Sequence, residues 1–301
     1  MANIRIASPN DPEIMKKIED IFSHGKSIED LQPPIGEQPL LVIVGGSPGV
    51  GKTSQARQIL QKMGYSYDNF YHISLDDIME HMTSYRENTW KMYETWKTPE
   101  IQTPELTNQH LGKLSSLYLK SLRMDSDSSI LRRRLEALEY GVKHGLNITY
   151  DTTFSSKSNI VERDILPILN KYVGKLRYQI HVVLVTSSER QIRKQLQERH
   201  MYMLENGFIR GIPLKVASFL PKENRSGFKK IQDELRVNGA YGPDDFYFRY
   251  VDNLPKRNEN NERENRSSSR SQRRSQRRSL LQSLLSSNRS TKRNARRSYR
   301  R

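Results

Sequence analysis

From residue 40 onward the chain alternates short apolar runs with longer stretches of helical periodicity. Residues 40–44, Leu-Leu-Val-Ile-Val, are apolar without alternation, the pattern of a strand buried on both faces. Residues 71–75, 147–150, 178–185 and 246–251 predict four further strands, of which 178–185 is the strongest. Between them, 53–63 predict a helix that Gly64 stops in the usual C-terminal position. A broken helix is expected over 76–96, and further helices over 106–122, 129–143, 159–172 and 189–206. His144-Gly145 stops the third of these, and Pro167 kinks or breaks the fourth. Ahead of the first strand, 11–22 predict a helix with Pro12 near its first turn and Ile14, Ile18 and Ile21 on one side. Residues 31–39, with three prolines, read as a connector. Strands separated by helices imply an α/β fold with a mostly parallel sheet and helices on both faces. There is no internal repeat.

The turn after the first strand carries the most specific chemistry. Residues 45–54 read Gly-Gly-Ser-Pro-Gly-Val-Gly-Lys-Thr-Ser and contain G-x-x-x-x-G-K-T at Gly46, Gly51, Lys52 and Thr53. A strand before it and a helix after it give the frame that a phosphate-binding P-loop requires. The glycines let backbone N–H groups surround phosphate oxygens, and the helix N-terminus adds partial positive charge. The expected nucleotide contacts are Gly46, Ser47, Pro48, Gly49, Val50, Gly51, Lys52, Thr53 and Ser54, with Lys52 on the outer phosphates and Thr53 holding Mg²⁺. The blander alternative is a loop that keeps the fold without the ligand.

Three other places narrow the chemistry. Ser74-Leu75-Asp76-Asp77 follows the second strand, where open α/β sheets bind their ligands. Asp76 is the candidate base for an attacking hydroxyl, Asp77 the weaker one, and either could instead cap the next helix. Asp151-Thr152-Thr153 closes the third strand; Asp151 could hold a Mg²⁺ water or a substrate hydroxyl, or cap the following segment. Arg190, Arg193, Arg199 and Arg210 follow the fourth strand, and Arg199 and Arg210 flank the turn-like Glu205-Asn206-Gly207. Arginines carried there can stabilise the charge that spreads over a phosphoryl group in transfer. The aromatics Tyr85, Trp90, Tyr93 and Trp96 read as packing before they read as a stacking platform. There is no Asn-Lys-x-Asp for guanine, no H-E-x-x-H, and no convincing cluster among seven histidines.

Composition separates the end of the chain from the rest. Of the net charge of +16, residues 256–301 carry +13, from sixteen Lys/Arg and three Glu, leaving +3 for residues 1–255. This tail of Arg, Ser, Asn and Gln has too little apolar surface to offset its chain entropy and is expected to be disordered. Leu280, Leu281, Leu284 and Leu285 are its one apolar group. Such a charge suits nucleic acid or another polyanion as partner. The absence of cysteine excludes disulfides and thiolate metal sites. No apolar run reaches the ~18 residues of a membrane span, and the first residues lack a signal-peptide core, so a soluble cytoplasmic or nuclear protein is expected. The division expected is a partly helical lead-in over 1–39, a P-loop domain over 40–255 and the basic tail over 256–301.

Taken together, Val44 through Ser54, Ile73-Ser74-Leu75-Asp76, the Gly145-Leu146-Asn147 segment running into Asp151-Thr152-Thr153, and Glu198-Arg199 with Arg210-Gly211-Ile212-Pro213 resemble the zeta-toxin group of P-loop kinases. These are similar to bacterial toxins that phosphorylate UDP-N-acetylglucosamine. The matching order spans roughly residues 40–252. The resemblance implies an ATP- and Mg²⁺-dependent kinase, with Lys52 and Thr53 on phosphates and metal. It makes Asp76 the base that activates the acceptor hydroxyl, and Arg199 and Arg210 the groups that stabilise the moving phosphoryl. Asp151 and Thr153 stand where the acceptor contacts belong, with Asp151-Thr152 in place of the toxins' Glu-Gly, and Glu136 is the nearest candidate for a second substrate-binding carboxylate. The arginine spacing is two residues shorter than in the toxins. The acceptor expected is a small hydroxyl-bearing molecule, such as a nucleotide sugar. A polynucleotide kinase using the basic tail is the second reading, and a non-catalytic nucleotide- or nucleic-acid-binding protein the third.

Overall fold

The computed structural model describes residues 4–96, 104–123, 129–154, 159–205, 210–213, 216–234 and 240–253. Among these, five strands form one parallel sheet: β1 (Leu40–Gly45), β2 (Tyr71–Ile73), β3 (Ile148–Thr152), β4 (Gln179–Thr186) and β5 (Phe246–Asp252), in the order β2-β3-β1-β4-β5. β1 is central, pairing Leu41 with Ile148 on one side and Leu40 with Gln179 on the other. From β1 the chain passes to β2 and β3 on one side, then crosses from β3 to β4 and β5 on the other. This creates a topological switch point at the carboxyl end of β1, where open α/β sheets hold their ligands.

The apolar run of β1 serves two cores by simple alternation. Leu41 and Ile43 join the larger core with α1 (Ile14–Ser23), α4 (Leu75–His81), α5 (Thr83–Trp96), α7 (Ile130–Lys143) and α8 (Leu166–Tyr172). Leu40, Val42 and Val44 join the smaller core with α3 (Lys52–Lys62) and α9 (Glu189–Glu205), through Ala56, Ile59, Leu60, Ile192 and Leu196. Helices thus cover both faces, as a parallel sheet requires. The segment before β1 is part of the larger core: Ile6, Ile14, Ile18, Ile21, Phe22 and Leu31 are all buried in it.

Several boundaries differ from the expected ones for identifiable reasons. α1 begins at Ile14 because Asp11 turns its carboxylate back onto the Ala7 and Glu13 amides and the Lys17 ammonium. These contacts also hold the Asp11 carboxyl below the usual range, the Ala7 amide contributing most. β2 stops at Ile73 because the Ser74 hydroxyl accepts from the Asp77 amide and caps α4. The expected break in 76–96 falls at Met82. There Ile6 donates to the His81 carbonyl and accepts from the Thr83 amide, diverting backbone groups that a continuous helix would use. Pro167 lies in the first turn of α8, just after a π-helical segment at Val161–Ile165. Two further helices complete the described fold, α6 (Pro104–Arg123) and α10 (Val216–Glu234); α2 is a single turn at Ile28–Leu31. The pattern of residues did not predict α10, because Pro221 lies inside it. No described helix is long and apolar enough to cross a membrane. The basic tail, with its leucines, lies outside the described residues.

Candidate active site

The phosphate loop joins β1 to α3 at the switch point. Gly49 and Gly51 adopt φ of 78° and 81°, left-handed values that residues with a Cβ seldom take. Gly46 is fixed by space as well as conformation: a Cβ there would lie 2.4 Å from the Val185 carbonyl oxygen. That oxygen is backbone of β4 and has little freedom to retreat. Gly46→Ala is therefore expected to cost about 1–3 kcal/mol of stability, read as a lower denaturant midpoint, and to weaken nucleotide binding.

Two asparagines strap the loop from outside. Asn253, at the end of β5, donates through Nδ2 to the Val50 carbonyl at 2.8 Å and accepts from Gln55 Nε2 at 2.9 Å. Asn224 of α10 is buried; with its amide oriented to satisfy both groups, it donates to the Phe154 carbonyl and accepts from both the Ser47 amide (2.7 Å) and the Ser47 hydroxyl (3.0 Å). Ser47, expected among the phosphate contacts, thus has its N–H engaged by Asn224. Neither asparagine was singled out from sequence. Asn253 was visible only as the residue following the last strand, and Asn224 sits on the helix that the pattern did not predict.

Lys52 opens α3 and folds back over the loop, its ammonium 3.4 Å from the Gly46 carbonyl and 3.6 Å from Asp151 Oδ1. Burial lowers its pKa, and the nearby Asp151 carboxylate opposes that shift. The register places Asp151 beside Val44 of β1, at the strand's carboxyl end. Its Oδ1 is buried and has no hydrogen-bond partner. A buried carboxylate oxygen that faces the Lys52 ammonium, in a cavity that Thr53 also lines, fits a Mg²⁺-phosphate group.

Asp76 lies at the centre of the other half of the site. Its carboxylate accepts from Arg199 Nη2 at 2.9 Å, from Arg210 Nη1 and from the Tyr118 hydroxyl at 2.9 Å. The two arginines come from separate segments, 123 and 134 residues away in sequence. The Arg210 guanidinium also lies over the Tyr118 ring, 4.2 Å from its centroid. Gly211 allows this approach, because a Cβ there would meet the Leu111 carbonyl oxygen of α6 at 2.5 Å. Tyr118 is a site residue that sequence did not signal.

Asp77 points elsewhere. It lines a cavity of about 560 Å³ together with Thr53, Ser74 and Asp151. Burial, followed by the Asp151 charge, pushes its carboxyl up to about 7. The unfolded chain loses that proton near pH 4 while the folded one keeps it to about 7. Stability should therefore fall as pH rises from about 4 to about 7 and stay level above. Asp77→Asn is expected to remove this slope and to raise the melting temperature at pH 8 by about 5 °C or more, measured by thermal scans from pH 4 to 8.

The remaining expected contacts are not gathered here. The Glu136 carboxylate is engaged by Arg132 and Arg133 of its own helix, and Glu136 is not among the residues lining the cavity beside the loop. Thr153 is exposed, with its carbonyl accepting from the Thr152 hydroxyl. Arg193 pairs with Glu189 on α9. In the aromatic set, Tyr85 is buried edge-on to Tyr118 and Trp90 is partly exposed, while the side chains of Tyr93 and Trp96 lie outside the described residues.

The model of the Zeta toxin family matches residues 25–111, which contain the loop, α3 and the Asp76 turn. The resemblance read from the sequence is thus supported over residues 25–111, and the fold is a parallel α/β sheet with a phosphate-loop turn after its central strand. Among solved structures, one from work on the PezAT chromosomal toxin–antitoxin system of Streptococcus pneumoniae aligns at 17% identity and TM-score 0.47, covering 78% of this chain and 76% of that one. A kinase candidate from Chloroflexus aurantiacus aligns at 13% identity and TM-score 0.36, covering 72% of this chain and 90% of that one. None of the curated proteins matches the chain.

Proposed function

We propose that this zeta-toxin-like chain is an ATP-dependent phosphotransferase acting on a hydroxyl of a small acceptor, with a nucleotide sugar as the first candidate. The observation that carries the reading is the convergence of Arg199 and Arg210 on Asp76, across the site from Lys52 and Thr53. A plain nucleotide binder has no use for two arginines placed on a carboxylate at a strand end. A kinase needs both: a base for the hydroxyl and cations for the charge on the transferring group.

In the proposed reaction, the loop amides and Lys52 hold the phosphates. Thr53 and Asp151 would hold Mg²⁺, which when bound neutralises phosphate charge. Asp76 takes the proton from the acceptor hydroxyl. The hydroxyl oxygen forms a bond to the γ-phosphorus, the bridging P–O bond breaks, and ADP leaves with the electron pair. Arg199 and Arg210 move from Asp76 to the equatorial oxygens, so phosphate arrival would itself release the base. The test is ATP consumption with UDP-N-acetylglucosamine and other UDP-sugars, with Lys52→Ala as control. Turnover that depends on acceptor and is lost in the control supports the reading. Nucleotide binding without turnover on any of them would leave only affinity.

The charge of residues 256–301 favours a second reading, in which a polyanion docks on the tail. Binding to a single-stranded oligonucleotide should then weaken with salt by roughly 0.7 log units per log unit of salt for each phosphate contact. Deleting residues 256–301 should abolish that binding and spare turnover of small acceptors.

A further inference from the structure

The cavity beside the loop continues away from the strand ends, between α3 and β2. His72 pairs in register with Thr149, two residues before Ser74 and Asp151 on their strands. One continuous space therefore runs from the phosphate loop to the edge of the sheet, where His24, Lys26, Arg57, Tyr67 and one carboxylate, Asp68, line it. Its volume, about 560 Å³, is that of a small-molecule pocket.

The far end is built rather than incidental. The His72 residue is 3% exposed, and its Nε2 has no hydrogen-bond partner. Its Nδ1 lies 2.5 Å from the Thr149 hydroxyl, and the Tyr67 ring stacks on the imidazole at 3.9 Å and 20°, so the ring cannot turn freely to find another partner. Burial holds the imidazole neutral, with a pKa lowered to about 3. A neutral ring nitrogen is satisfied by a hydroxyl, which can donate or accept. Arg57 lies over the Tyr67 ring at 4.8 Å, a stacking that fixes a planar guanidinium and its fork of donors. Lys26 is steadied by Asn69 at 2.8 Å. Cations and a neutral ring nitrogen at this far end, with Ser74, Asp77 and Asp151 lining the space toward the strand ends, describe a ligand with an anionic group and several hydroxyls.

We infer that this space is the acceptor pocket, and that the acceptor is a phosphorylated polyol whose phosphate faces Arg57 and Lys26 while its reactive hydroxyl faces Ser74 and Asp77 at the near end, beside the turn that carries Asp76. The inference rests on the kinase reading above and specifies its substrate class. The aromatic stripe of α5 has no part in it.

Calorimetric titration of the full chain tests it, with glucose 6-phosphate as probe and glucose as its uncharged counterpart, both in the presence of Mg²⁺ and a non-hydrolysable ATP analogue. Glucose 6-phosphate is expected to bind saturably and at least tenfold more tightly than glucose. Arg57→Gln should remove most of that difference, and His72→Phe should weaken both sugars tenfold or more. Arg57 is exposed, so its replacement keeps the test open if His72→Phe fails to fold. Equal affinity for the two sugars, no saturable binding, or affinities indifferent to both substitutions would overturn the pocket. The analogue alone is titrated first: failure there removes the kinase reading and this inference with it, whereas normal analogue binding followed by any of the failures above removes the pocket only.

Discussion

Asp76→Asn should lower kcat by about 10²- to 10⁴-fold, the usual contribution of a positioned general base, while ATP binding survives. The structure makes a sharper statement about affinity. In the free protein the Asp76 carboxylate pairs with both Arg199 and Arg210. An incoming γ-phosphate must compete with it for both. The amide that replaces it is uncharged, so the arginines are left available and ATP should bind as tightly as before or a few-fold more tightly. Loss of kcat with unchanged or improved ATP affinity is the signature of a base held in reserve by the cations that later serve the phosphate. A merely structural Asp76 would instead give weaker binding and lower turnover together. Single-turnover transfer and equilibrium binding on the same preparation separate the two cases.

Arg210→Ala carries the second large effect. Arginines that stabilise a transferring phosphoryl contribute roughly 10³- to 10⁵-fold to kcat, and a fall of that order is expected here with the ATP analogue still bound. Arg210 is the more enclosed of the pair, its side chain 16% exposed against 35% for Arg199, and it is stacked on Tyr118. Its loss should therefore exceed that of Arg199→Ala. Arg210→Lys keeps the charge but loses the planar fork and much of the stacking, so it should recover only a small part of the rate. Equal turnover in the parent and Arg210→Ala, measured at saturating ATP and acceptor, would remove the arginine from the chemistry.

Much of the frame was legible because it depends on local composition. Leu40–Gly45 is a strand at the centre of the sheet because a run of five apolar residues has no polar face to expose. The glycine pattern after it could only be a tight turn into a helix. Asp76 and the two arginines were visible as residue types in suggestive places, but their meeting was not, since it brings together segments more than 120 residues apart. The difference between Asp76 and Asp77 was equally hidden. Adjacent positions at the start of α4 send one carboxylate toward Arg199 and Arg210 and the other into the cavity with Thr53. Sequence cannot resolve that, because about 100° of helix rotation separates neighbours. Asn224 illustrates a third kind of silence: Pro221 argues against a helix over Val216–Glu234, yet that helix delivers the amide that fixes Ser47. Glu136 is a different case. The resemblance offered it as a substrate contact, and its pairing with Arg132 and Arg133, one helical turn before it, was equally open to reading from their spacing.

When nucleotide arrives, the arginines should pass from the base to the phosphate. A crystal structure of the complex with Mg²⁺ and a non-hydrolysable ATP analogue tests it most directly. Arg199 and Arg210 are expected on the γ-phosphate oxygens, with a released Asp76 carboxylate open to the acceptor side. Both guanidinium groups still paired to Asp76, with the γ-phosphate held by Lys52 and the loop alone, would contradict it.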